Sequence, residues 1–313
     1  MDERPDTTRP RLTVDLRSYA ADAESADWAG MLRRAEQLDA AGVDRLVVSD
    51  HIAFGENLAA YGDPGAGGRT GGVQPTGPDG HWLEPLTTLA VIAGRTTRIR
   101  LGTNIILAAL RRPAVLAKSA ATLDVLSDGR LDLGVGVGWQ REEYDVAGLD
   151  YRQRGRLLEH TLDVCQLLWG QTRADYRTTE LSFEGIHAMP KPLQSGGVPI
   201  WISGTVNDRV VRRVARYGRR WIPWGEDESD IDRGIARMRT ALAALAGSAD
   251  ELRVSAPLRT IRLPDRSIDV AATLAPVPRL AGAGVTDFRV HLPTTADPAG
   301  FVAAFREASG APR

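Results

Sequence analysis

The sequence predicts an α/β chain folded as a (β/α)8 TIM barrel, and three observations carry that prediction. Short β-rich runs alternate with helical patterns eight times along 313 residues. Eight such units in roughly 300 residues fit a closed barrel better than an open doubly wound sheet, which usually has fewer strands. The strand candidates are mostly continuous apolar runs, as suits a parallel sheet covered by helices. Several helical segments also carry their own start and stop residues.

Taken in order, 11–16 "RLTVDL" is the first strand. A helix over 27–42 has Asp27 as N-cap and Gly42 as C-cap. The second strand is 44–49. A helix over 82–96 leads to the third strand, 98–106. The next helix, 112–129, has Pro113 in its first turn and Gly129 past its end. The fourth strand is 130–138 and its helix 151–170. Strand five is 198–204, followed by a helix to about 217, and strand six is 219–225. A periodic helix over 227–247, a strand over 252–261, a helical stretch over 267–284, a strand over 285–292 and a helix over 297–308 close the series. The whole of 1–313 reads as one domain.

Two insertions interrupt the rhythm. Residues 62–80 hold eight Gly and three Pro with one bulky aliphatic, Val73. Such a segment cannot bury enough apolar surface to offset its ordering entropy, so it is expected to be a flexible lid at the C-terminal face. Residues 174–197 form a second excursion before strand five, expected to cross from the bottom face back to the barrel.

Composition excludes several classes. Lys and Arg total 39 against 40 Asp and Glu, without a basic block, so neither nucleic acid nor a membrane surface is an expected partner. No apolar run approaches the roughly 18 residues of a membrane span. The polar start "MDERPDTTRPR" lacks the apolar core of a signal peptide. Cys165 is the one cysteine, which excludes an intrachain disulfide and a Cys-rich metal site. A cytoplasmic protein is expected.

In a barrel enzyme the reacting groups stand at the C-terminal ends of strands. Strand two ends in "VVSDH", placing Asp50 and His51 there. An imidazole at that place serves as acid, base or donor near neutral pH. The alternative is an Asp–His pair that ties a loop to the rim. Strand three ends in "LGTNII", where Asn104 offers an amide to the mouth or simply begins a loop. The run "GVGVGW" (134–139) has its third Gly one position early for a dinucleotide fingerprint. Gly136 and Gly138 instead leave room for a flat ring, with Trp139 as a wall. Ser203, Gly204 and Thr205 lie between a strand and a helix start, where free N–H groups and the positive helix end suit a phosphate. Plain N-capping by Ser203 or Thr205 is the alternative. The other histidines are scattered without metal-ligand spacing, and there is neither a G-x-S-x-G nucleophile nor a Walker loop.

The segments "VVSDH", "TTRIRLGTNIILAALRRPAVLAKSAATLDVLSDGRLDLGVGVGWQREEY" and "VPIWISGT" with "VARYGRRWIPW" together resemble the bacterial luciferase-like monooxygenase superfamily. The branch they look most like is the coenzyme F420-dependent oxidoreductases of actinobacteria. The resemblance implies that His51 lies near the redox carbon of the deazaflavin, with Asp50 beside it in the cofactor pocket. It implies a cis peptide at Asn104–Ile105 supporting the ring, room for the cofactor at Gly136 and Gly138, and a phosphate at Ser203, Gly204 and Thr205. Arg111, Arg112, Arg209, Arg212 and Arg213 are offered for the anionic tail of that cofactor. Two departures stand out. Trp139 occupies the place of an acidic residue in the sugar-phosphate dehydrogenase branch, which argues against sugar oxidation. Phe54 and Gly55 lie where that branch has a catalytic Trp. The expected function is hydride transfer between coenzyme F420 and a small organic substrate. An FMN-dependent monooxygenase and a non-catalytic flavin-binding barrel are the alternatives, and a homodimer is expected.

Overall fold

The computed structural model describes residues 9–310. Eight parallel strands close into a barrel: β1 (Arg11–Asp15), β2 (Arg45–Val48), β3 (Arg100–Thr103), β4 (Leu131–Val135), β5 (Ile200–Gly204), β6 (Arg220–Pro223), β7 (Arg253–Leu258) and β8 (Asp287–Val290). Each pairs with its chain neighbours, and β8 closes on β1 with Leu12 opposite Phe288. This is the predicted (β/α)8 architecture. One set of strand residues, including Leu12, Val14, Leu46, Leu101, Leu133, Ile202, Val254 and Phe288, belongs to the main apolar core.

The other set is charged. Arg45 on β2 contacts Asp132 on β4 at 2.9 Å and Asp287 on β8 at 3.0 Å. Neither strand adjoins β2, so these side chains meet inside the barrel. Arg253 also pairs with Asp287, and the Trp201 ring faces the guanidinium groups of Arg45 and Arg253 at 4.8 and 5.3 Å. Buried charges persist only when paired and hydrogen-bonded, and this network fills the lower barrel. The open space is left at the C-terminal mouth.

The covering helices include α1 (Trp28–Ala41), α2 (Pro85–Ala93), α3 (Pro113–Leu126), α4 (Arg154–Gly170), α5 (Asp208–Tyr217) and α6 (Ile231–Ala246). Asp27 accepts from Gly30 N, and Gly42 closes α1 with φ of 80°, as expected. Three expected elements differ. Helix α2 starts at Pro85 rather than 82, because His81–Trp82 pairs antiparallel with Tyr19–Ala20 over the mouth. The stretch 227–247 breaks at Asp230, whose side chain caps α6. The stretch 267–284 divides into Val270–Leu274 and Val277–Ala283 around Pro276, which has no N–H to continue a helix. A short helix, Arg141–Val146, follows β4 and was not expected.

The insertion 174–197 contains a hairpin, Ala174–Arg177 with Ser182–Ile186. It returns beneath the barrel, where the N–H groups of Leu193 and Gln194 donate to Asp124 near the end of α3. The insertion 62–80 lies over the opposite end, contributing Gly67, Arg69 and Gln74 to the wall of the mouth cavity.

Candidate functional site

The mouth holds a cavity of about 570 Å³, within the size range of sites for drug-sized ligands and cofactors. Asp15, Asn104 and Arg289 border it from the ends of β1, β3 and β8, and His51 from beyond β2. His51 sits among aromatic rings. Its centroid is 4.3 Å from Phe54, 4.8 Å from Trp82 edge-on and 6.1 Å from Trp139. Its Nδ1 is buried and lies 3.3 Å from Glu143 Oε1, close enough for charge attraction but not aligned as a hydrogen bond. That leaves Nε2 as the nitrogen available to the cavity.

Asp50 and His51 do not form a pair. Asp50 accepts from Arg111 at 2.6 and 3.1 Å and from Leu107 N at 2.8 Å. It borders the cavity with both oxygens engaged, tying the segment after β3 to the rim. The loop-tying alternative thus describes Asp50, while the acid beside His51 is Glu143.

The Asn104–Ile105 peptide is cis, as the resemblance implied. Asn104 Oδ1 accepts from Arg289 at 2.8 Å. Gly136 and Gly138 make room in a way the sequence did not show. A Cβ on Gly136 would meet Ile105 Cδ1 at 2.9 Å, and one on Gly138 would meet Leu107 Cδ2 at 2.7 Å. The space they leave is filled by the side chains of the bulge, and their backbone forms the cavity wall. Trp139 is a wall as expected, with its ring 5.4 Å from Tyr61.

Ser203 and Gly204 border the cavity. Thr205 donates its hydroxyl to Trp224 O at 2.9 Å instead. The expected free N–H groups at the helix start are largely in use. Asn207, not Ser203 or Thr205, caps α5, and Val206 N donates to the Asp227 carboxylate at 2.6 Å. Of the three residues expected to take a phosphate, Ser203 and Gly204 face the cavity and Thr205 does not.

Sequence reasoning missed a polar cluster across the mouth. Arg289 lies 3.4 Å from Asp15 and 3.5 Å from Glu228, and Glu228 also meets Arg69 of the 62–80 insertion at 3.2 Å. Arg69 in turn stands over the rings of Tyr61 and Trp224. Burial raises the Asp15 carboxyl above its usual range, against the opposing pull of Arg289. Among the described residues no group of three or more His, Cys, Asp or Glu is placed to hold a metal.

The cavity suits a flat heteroaromatic ring: His51, Trp82 and Trp139 supply apolar walls, and the cis bulge a floor. Such an aromatic-walled cavity at the C-terminal mouth of a (β/α)8 barrel is where enzymes of this fold place their reacting groups. The chain belongs to the luciferase-like monooxygenase family, which it matches over residues 12–275. An uncharacterized protein of Mycobacterium tuberculosis is 34% identical over 162 residues, spanning 52% of this chain and 57% of that relative's length. An F420-dependent secondary alcohol dehydrogenase in complex with an F420-acetone adduct superposes with a TM-score of 0.72 at 16% identity, covering 97% of this chain and 99% of the other. The oxygenating constituent of 3,6-diketocamphane monooxygenase from Pseudomonas putida, in complex with FMN, gives 0.69 at 12% identity, covering 96% and 98%. At these identities the structural matches establish the fold. Among the described residues no helix is long and apolar enough to cross a membrane.

Proposed function

We propose that this protein is a coenzyme F420-dependent oxidoreductase acting on a small organic substrate. The observation that carries the reading is His51, held in an aromatic slot beside the cis bulge with Nε2 left for the cavity. When bound, the deazaflavin supplies the hydride chemistry, and the protein supplies orientation, water exclusion and a proton. His51 holds or releases that proton at Nε2. Trp82, Trp139 and the Asn104–Ile105 segment would flank the ring, and Ser203 and Gly204 would take its phosphate. Arg111 and Arg213 are committed to Asp50 and Glu159, so of the arginines first considered for the anionic tail, Arg112, Arg209 and Arg212 remain exposed for it. The F420-dependent neighbour supports this choice. A cytoplasmic homodimer is part of the same reading.

The second reading is an FMN-dependent monooxygenase, favoured by the FMN-bound neighbour. The test is anaerobic mixing of the protein and oxidised F420 with a panel of secondary alcohols, and of reduced F420 with the matching ketones. The deazaflavin absorbance should change with at least one pair. Oxygen uptake with reduced FMN, together with no reaction of F420 across the panel, would replace this reading with the monooxygenase.

A further inference from the structure

Glu143 is a fully buried acid in the first turn of the Arg141–Val146 helix. Its Oε1 accepts from Ile52 N at 2.7 Å and lies 3.3 Å from His51 Nδ1. Its Oε2 is buried with no protein hydrogen-bond partner. Among the described residues, His51 is the only basic side chain within ion-pair distance of it. An isolated buried carboxylate costs several kcal/mol, far more than a neutral acceptor in the same place. The Ile52 N–H needs only an acceptor, and a glutamine carbonyl would serve it equally well. Apart from the weak field of its own short helix, the group this negative charge faces is His51.

We propose that Glu143 is the positioning residue of a His51–Glu143 dyad. Its carboxylate accepts from the Nδ1–H of His51, which fixes the tautomer that presents a bare Nε2 to the cavity and steadies the imidazolium when Nε2 gains a proton. The hydrogen bond made by one ring nitrogen sets the protonation of the other, and such bonds are often long in ligand-free sites and tighten in the complex. The aromatic rings packed around His51, Phe54, Trp82 and Trp139, carry no charge. Asp50, next in the chain, is spent on Arg111 and Leu107. The same Glu143 oxygen grips the backbone just after His51, so ring and main chain are anchored together. The catalytic part of this proposal rests on the reading of His51 as the proton-handling group; the tautomer does not.

The test uses ¹⁵N-histidine-labelled protein without cofactor, with the His51 signals assigned by their loss in His51→Gln. Wild type should show the Nδ1–H tautomer at His51. Glu143→Gln keeps an acceptor for Ile52 N but removes the charge. In it the Nδ1–H population should fall, turnover should drop roughly 10- to 100-fold as part of the general acid–base contribution, and cofactor affinity should change less than about threefold. An Nε2–H tautomer in wild type overturns the proposal without any variant. So does a Glu143→Gln protein with unchanged tautomer and turnover while His51→Ala is inactive, an outcome that leaves the functional reading standing. If the tautomer shifts as expected but His51→Ala retains full turnover, the dyad is upheld and the catalytic reading of His51 fails.

Discussion

Replacing Asp50 should weaken the fold and the site together. The carboxylate is almost fully buried and accepts three hydrogen bonds, two from Arg111 and one from Leu107 N. Removing one partner of a buried ion pair costs about 3–5 kcal/mol. Arg111 retains Glu84 at 2.9 Å, so the guanidinium is not left bare and the low end applies. Asp50→Ala should therefore destabilise by about 3 kcal/mol. Asp50→Asn keeps an acceptor for Leu107 N and should cost about 1.5–2 kcal/mol, the value of charge-assisted hydrogen bonding. Urea unfolding followed by tryptophan fluorescence measures both. A double-mutant cycle with Arg111→Met should give a coupling above about 1 kcal/mol, as residues in one network do. Because Leu107 borders the mouth cavity, cofactor affinity should fall as well. A coupling below about 0.5 kcal/mol would refute the assignment of Asp50 to Arg111.

Burial by itself raises the Asp132 carboxyl, but Arg100 and Arg45 more than reverse this and hold it below the ordinary carboxylate range. Its stabilisation is thus complete above the unfolded value of about 3.9 and is lost as pH falls toward the lower folded value; the difference in Tm between wild type and Asp132→Asn should shrink on acidification below pH 4, and a pH-independent difference would contradict it. Amides of residues 62–80 should exchange faster than barrel strands and slow when cofactor binds, with Arg69→Ala accelerating exchange through loss of the Glu228 contact; strand-like protection without ligand would exclude a mobile lid. His51→Ala should lower turnover by about 10²–10⁴-fold with little change in cofactor affinity, whereas Gly204→Asp should weaken binding through repulsion of the phosphate; full turnover in His51→Ala, or unweakened binding in Gly204→Asp, would remove the corresponding role.

The barrel was legible because its outward strand residues are apolar and its helices are punctuated, as at Asp27 and Gly42. The ionic lower barrel was present in the sequence as charges within the strands, Arg45 in β2, Asp132 in β4, Arg253 in β7 and Asp287 in β8. Which face they occupy depends on closure, since Arg45 meets Asp132 and Asp287 only across the barrel. His51 was found from its place at a strand end. Glu143 was not, because a glutamate in "REEY" looks like any acid in a first helical turn until the fold brings it 3.3 Å from His51. Trp82 was read as helix, although Pro85 after Glu84 marks the true start. Thr205 was favoured as a phosphate or capping residue, but Asn207 is the cap and Asp227 reaches Val206 N from the short helix Glu226–Ser229 beyond β6.

The most direct test of the central claim is titration of cofactor-free protein with coenzyme F420 and with FMN at two salt concentrations. The account predicts saturable F420 binding that weakens with salt, because the anionic tail is met by exposed arginines, and weaker binding of FMN. Tight FMN binding with no measurable F420 binding would contradict it.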